Sequence, residues 1–132
     1  MTDEQFRKAI RDAVAGGAAE VDLSWKEMRY LPAAIGELTG VRRLSLRANW
    51  LRDLPHEIAE LRNLVALDVA DNVFESALPP SHRVLPLALL KMTWLEELDI
   101  GWTYVESLPD EFGNLARLRK LTLETTDLNI VR

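Results

Sequence analysis

The 132-residue sequence predicts an α/β solenoid: a short right-handed horseshoe arc on a parallel sheet of about five strands, with a capping helix at its amino-terminal end. Three observations predict it. An apolar skeleton returns five times, anchored at Val21, Leu44, Leu67, Leu98 and Leu121, in steps of 23, 23, 31 and 23 residues. Each anchor is followed two residues on by Leu23, Leu46, Val69, Ile100 or Leu123, and seven residues on by Met28, Leu51, Phe74, Val105 or Leu128. The segment ahead of the first anchor carries the start, stripe and stop of one amphipathic helix. A unit repeated at a fixed period means stacked coils that share a continuous core and present an extended face.

The helix comes first. Thr2 with Gln5 makes a capping-box pattern, Phe6, Ala9, Ile10, Ala13 and Val14 form an apolar stripe, and Gly16-Gly17 ends the helix. Placed over the first coil, it covers the core under Val21 and Leu23, as a terminal coil requires. A membrane-lying helix is the alternative, but the polar face mixes Asp3, Glu4 and Asp12 with Arg7, Lys8 and Arg11. Residues 1–17 are therefore read as the cap and residues 18–132 as the repeat domain.

The repeat unit is clearest in VRRLSLRANWLRDLPHEIAELRN, from Val41 to Asn63. Alternation across Leu44, Ser45, Leu46 and Arg47 turns the leucines inward and Ser45 and Arg47 outward, the period of a short strand with one buried face. Asn49 follows, where a side-chain amide satisfies backbone groups of the turn. Leu54-Pro55 starts the return leg, and Ile58, Leu61 and Leu64 bring the chain back at helical spacing. In this pattern the unit resembles a leucine-rich repeat, and the continuation through Leu54, Pro55, Ile58 and Leu61 is similar to the 23-residue LPxxIxxL variety of intracellular Ras-group repeat proteins and bacterial Roc-COR GTPases. The resemblance covers residues 21–132. It implies a protein-interaction module whose concave sheet face meets the partner.

The asparagine column is imperfect, reading Lys26, Asn49, Asn72, Thr103 and Thr126. Lysine cannot accept a hydrogen bond and threonine reaches less far, so the first turn and the last two are expected to be less regular. The 31-residue unit holds eight extra residues between Phe74 and Leu85. Its segment ESALPPSHRV, near residues 75–84, has the composition of a projecting loop, either a binding protrusion or a tolerated insertion. The last unit, LTLETTDLNIVR, has no visible cap. Either a following segment covers Leu121, Leu123, Leu128 and Val131, or a neighbouring molecule does, which would mean self-association through this end.

The chain holds no cysteine, whereas secreted relatives of this type close their ends with disulfide caps; a cytoplasmic location is the expectation. The amino terminus lacks the apolar core of a signal peptide, and no run approaches membrane-spanning length. Neither GxGxxG nor GxxxxGK[ST] occurs, and His56 and His82 lack metal-ligand spacing, so no enzyme activity, cofactor or metal is expected. Asp68 and Asp99 fall on adjacent rungs, as a paired-carboxylate site would need, but a shallow face supplies no dry pocket; a solvated acidic face balanced by Arg47 is the simpler reading.

The outward columns of the sheet read Glu20, Arg43, Ala66, Glu97 and Lys120; Asp22, Ser45, Asp68, Asp99 and Thr122; and Ser24, Arg47, Ala70, Gly101 and Glu124. At the turn come Trp25, Ala48, Asp71, Trp102 and Thr125, then Glu27, Trp50, Val73, Tyr104 and Asp127. Seven acids face three bases over the first four columns, which suits a protein partner and not nucleic acid. The candidate partner-binding set is Trp25, Arg43, Ser45, Arg47, Trp50, Asp68, Asp71, Asp99, Trp102, Tyr104 and Glu124. Each aromatic ring either stands as an anchor or folds over the turn to cover core; at least one is expected to be accessible. The alternatives are a regulatory repeat domain of a larger signalling protein such as a Roc-COR-like GTPase, and a structural or self-assembling solenoid.

Overall fold

A computed structural model describes residues 1–77, 79 and 82–124; the expectations placed on Thr125, Thr126, Asp127, Leu128 and Val131 lie outside the described residues. Five three-residue strands, β1 (Glu20–Asp22), β2 (Arg43–Ser45), β3 (Ala66–Asp68), β4 (Glu97–Asp99) and β5 (Lys120–Thr122), form one parallel sheet in chain order. The register is the one the repeat dictates. Val21 pairs with Leu44, Leu44 with Leu67, Leu67 with Leu98 and Leu98 with Leu121. Each strand opens one coil, so the columns read from the sequence are physical columns.

Helix α1 (Asp3–Ala15) caps the first coil. Both halves of its capping box form: Thr2 Oγ1 accepts from the Gln5 amide and Gln5 Oε1 from the Thr2 amide. At its other end Ala18 donates to the Ala13 carbonyl and Gly17 to that of Val14, with Gly17 left-handed at φ +62°. Phe6 and Ile10 are buried in the core, and Ala9 and Ala13 pack against it. Val14 departs from the expected stripe and is half exposed, because it sits in the last turn beyond the edge of the core. The Tyr30 hydroxyl donates to Asp3 and ties the cap to the first coil; that acceptor raises the tyrosine pKa above its ordinary value.

The return legs are tighter than the expected helical spacing. In three coils they are 3-10 segments, Ala33–Glu37, His56–Glu60 and Asp110–Asn114, each preceded by a proline that sets the entry angle. The 31-residue coil has instead a single α-helical turn, α2 (Leu87–Leu90). Ile35, Ile58 and Leu89 point inward from these legs and are fully buried with Leu46, Leu51, Leu61, Val69 and Phe74. Gly36 allows the first two legs to pack closely: a Cβ there would lie 2.9 Å from Glu60 Oε1 and 3.1 Å from the Glu57 carbonyl.

Asn49 and Asn72 join the coils. The Asn49 carbonyl oxygen accepts from the amides of Lys26 and Met28 in the coil before, at 3.0 and 3.1 Å. Its amide donates to Leu23 of that coil and to Leu46 of its own. Asn72 repeats the pattern one coil on, accepting from Leu51 and donating to Leu46 and Val69. Thr103 reaches only Ile100 of its own coil. Every described turn has one left-handed residue, Trp25, Ala48, Asp71 or Trp102, but the coils carrying Lys26 and Thr103 add a second, Glu27 and Tyr104. Asn49 and Asn72 bond backbone groups of their own coil and of the coil before, whereas Thr103 bonds one carbonyl of its own coil and lysine has no acceptor to offer.

Replacing Asn49 with alanine strands the buried Met28 amide, the half-buried Lys26 amide and two buried carbonyls, and is expected to cost about 3 kcal/mol, against about 1 kcal/mol for Thr103→Ala. Urea denaturation of the two variants checks the difference; equal midpoints would contradict the coil-joining role. At Ala48, held at φ +58°, glycine relieves the left-handed penalty, so Ala48→Gly is expected to stabilise by about 0.5 to 1 kcal/mol. A lowered melting temperature would contradict that.

Candidate functional site

The strand face forms an open trough of about 400 Å³, lined by the outward residues of all five strands. Its second column has a backbone role that the sequence did not reveal. Asp22, Asp68 and Asp99 each accept the amide two residues on, from Ser24, Ala70 and Gly101, and the Ser45 hydroxyl accepts that of Arg47. These side chains close the strand ends as Asx-type turns. Hydrogen bonds from the Ser24 hydroxyl and amide hold Asp22 below the usual carboxylate range.

Two arginines of the second coil reach across the trough. Arg43 spans the small Ala66 to meet Glu97 at 3.3 and 3.4 Å, and Glu97 also lies 3.6 Å from Arg119. Arg47 meets both Asp68 and Asp99 at 3.2 Å, its own column being clear beyond it at Ala70 and Gly101. Gly101 suits the close approach there, since a Cβ would lie 3.0 Å from the Glu124 carbonyl. Partial burial works against the Arg47 charge, and the two aspartates outweigh it and raise its pKa. Asp68 and Asp99 thus share one guanidinium while each caps its own strand, which leaves neither poised as an acid–base pair.

The rim at the strand ends is different in kind. Trp25, Trp50, Trp102 and Tyr104 are 74%, 54%, 42% and 46% exposed, so all four rings are accessible. Trp102 and Tyr104 stand edge to face, ring centres 6.4 Å apart. Asp71 lies exposed on the rung beside Trp102, its amide bonded to Gly101 at 2.9 Å, and no described side chain pairs with its carboxylate. Arg43, Ser45, Arg47, Asp68 and Asp99 therefore gather in the trough, whereas Trp25, Trp50, Asp71, Trp102 and Tyr104 gather on the rim. Glu124 sits at the far end of the sheet beside Trp102 and Gly101.

Two features escaped the sequence reading. Trp94 holds two coils together on the return side: its ring N–H donates to the Leu61 carbonyl at 2.9 Å, and Arg62 lies 5.0 Å from the ring centre. Its position in the 23-residue frame is that of Asn63, whose amide likewise reaches back a coil to Thr39, and that alignment was the available signal. An apolar groove of about 780 Å³ lies among Leu54, Val84, Leu85, Pro86, Leu87 and Pro109, with Leu87 largely exposed. It adjoins the insertion, which closes on itself where Ser76 and His82 bond each other. Its walls come from separate coils, so no single segment announced it.

Stacked coils, a one-sided parallel sheet and a fixed array of side chains define a repeat solenoid. Residues 21–130 match the family model of the leucine-rich repeat region, and the chain belongs to the leucine-rich repeat family. The leucine-rich repeat domain of APL1B superposes with a TM-score of 0.72 at 19% identity over 99% of this chain and 38% of its own. The plant peptide hormone receptor RGFR1, solved in complex with RGF2, superposes with a TM-score of 0.53 at 27% identity, covering 75% of this chain and 18% of the receptor. An adenylate cyclase of Podospora anserina is 30% identical over 100 residues. That match takes in 74% of this chain but only 4% of the cyclase, so it carries the repeats and not the cyclase chemistry. No described helix is long and apolar enough to cross a membrane.

The trough ion pairs give the acid limb of stability a sign. Hydrogen bonds and charge from Arg43 hold Glu97 below its ordinary 4.5, and Ser24 holds Asp22 below 3.8, so the unfolded chain binds more protons as the pH falls through that range. Their contribution is complete above about pH 5 and is lost below it. Glu97→Gln is expected to flatten the fall of the urea midpoint between about pH 5 and 3. A slope equal to that of the original chain would contradict the pairing.

Proposed function

We propose that this chain is a non-enzymatic protein-interaction module that presents its concave sheet face and aromatic rim, as a rigid array, to a protein partner in the cytoplasm. One observation carries the reading: four large aromatic side chains stand exposed in two adjacent columns beside a salt-bridged strand face. Aromatic anchors ringed by charge are what concentrate binding energy at interfaces. In-register strands and bonded turns fix the array before binding, so less freedom is lost on association. Leucine-rich repeat domains generally serve protein interaction, and the similar receptor RGFR1 was solved with RGF2 bound.

A second reading makes the chain the recognition part of a larger signalling protein, of which a Roc-COR-like GTPase is one example. It is favoured by the small share of each matched protein that these repeats occupy, 38% of APL1B's repeat domain and 4% of the cyclase. Both readings use the same face.

The test is capture of the partner followed by affinity measurements on variants. Trp102→Ala is expected to weaken binding by about 2 kcal/mol with an unchanged melting temperature, whereas Glu57→Gln on a return leg costs about 0.5 kcal/mol or less. Binding that survives Trp25→Ala and Trp102→Ala but is lost on deleting residues 75–84 would move recognition to the insertion.

A further inference from the structure

Three acids of the strand face, Asp68, Glu97 and Asp99, differ in one respect from Asp71 on the rim. Arg47 holds Asp68 and Asp99, and Arg43 holds Glu97, so an incoming cation would have to displace an arginine already in place. Asp71 has no such partner among the described residues. Its own turn fixes it, left-handed at φ +57° with its amide tied to Gly101. One rung to one side is Trp102, in edge contact with Tyr104; one rung to the other is the coil of Trp50. The nearest cation in the turn columns, Lys26, lies two coils away, about 10 Å at the usual rung spacing.

On the reading of this chain as an interaction module, we infer that the partner contributes a basic segment whose arginine or lysine docks on Asp71 between the exposed rings of Trp50 and Trp102. The chemistry is complementary on both counts. The carboxylate offers charge-assisted hydrogen bonds to a guanidinium or ammonium group. The ring faces attract the same cation and cover its methylene stem. Ala48 and Val73, beside Asp71 and Trp50 in the two turn columns, put no further large or charged side chain between the two rings. The formal charge of −5 adds a field that draws a basic segment in.

The experiment is selection of a random dodecapeptide library displayed on phage against the full chain, followed by titration of the enriched peptides. Enriched sequences are expected to carry arginine or lysine, to shift the indole N–H resonances of Trp50 and Trp102, and to bind at least tenfold more weakly to Asp71→Asn. Asparagine tolerates the left-handed turn, so that variant keeps its fold, which a melting curve verifies. Changing the basic residue of the peptide to glutamine should weaken binding to the original chain and make no further difference in Asp71→Asn. Peptides without basic residues, or basic peptides indifferent to Asp71→Asn, would overturn the inference. Binding lost instead in Asp68→Asn would overturn it while leaving the module reading intact. If no peptide is selected and the chain binds only to itself in sedimentation, or only to phosphatidylcholine vesicles, the module reading falls too.

Discussion

A three-residue strand gives its neighbour too few hydrogen bonds and too little buried surface to hold a coil alone, so the stack depends on contacts that belong to two coils at once. The side-chain amides of Asn49 and Asn72 supply them, each bonding backbone groups of its own coil and of the one before. Buried polar groups that could not reach water are thereby satisfied inside the leucine core. On the opposite side Asn63 and Trp94 do the same work with a single bond apiece. Two seams of coil-to-coil hydrogen bonds therefore flank the apolar core, and the eight extra residues of the 31-residue coil leave them in line.

Because register is held this way, the strand face is a lattice with fixed spacing, and small residues matter as much as charged ones. Arg43 and Arg47 reach the fourth coil only because Ala66, Ala70 and Gly101 leave their columns clear. The result is a trough where Arg43 and Arg47 answer Glu97, Asp68 and Asp99, and a rim where no described side chain pairs with Asp71. Solvent-exposed ion pairs add little to stability, so the trough network chiefly settles which charges of the strand face are already engaged.

Fold class, register and the amino-terminal helix were legible because each follows from a repeating apolar period or a local capping signal. The strand anchors pair as their spacing requires, and the irregular turns fall at Lys26 and Thr103 as the asparagine column indicates. What periodicity could not convey was side-chain reach. It placed Asp68 and Asp99 side by side but not the arginine between them, nor the backbone amides they cap. It also could not separate an exposed ring from a folded one, because an outward column position fixes where a side chain starts and not how its ring lies. Trp94 and the apolar groove were missed for a related reason, both being built from residues on different coils.

The central claim is that recognition belongs to the strand ends and not to the return legs. Hydrogen–deuterium exchange of the chain, free and with its captured partner, tests it most directly. Slowed exchange at residues 45–50, 68–73 and 99–104, with the return legs at 54–61 and 85–91 unchanged, is the predicted result. Slowed exchange confined to 54–61 and 85–91, around the apolar groove, would contradict the account.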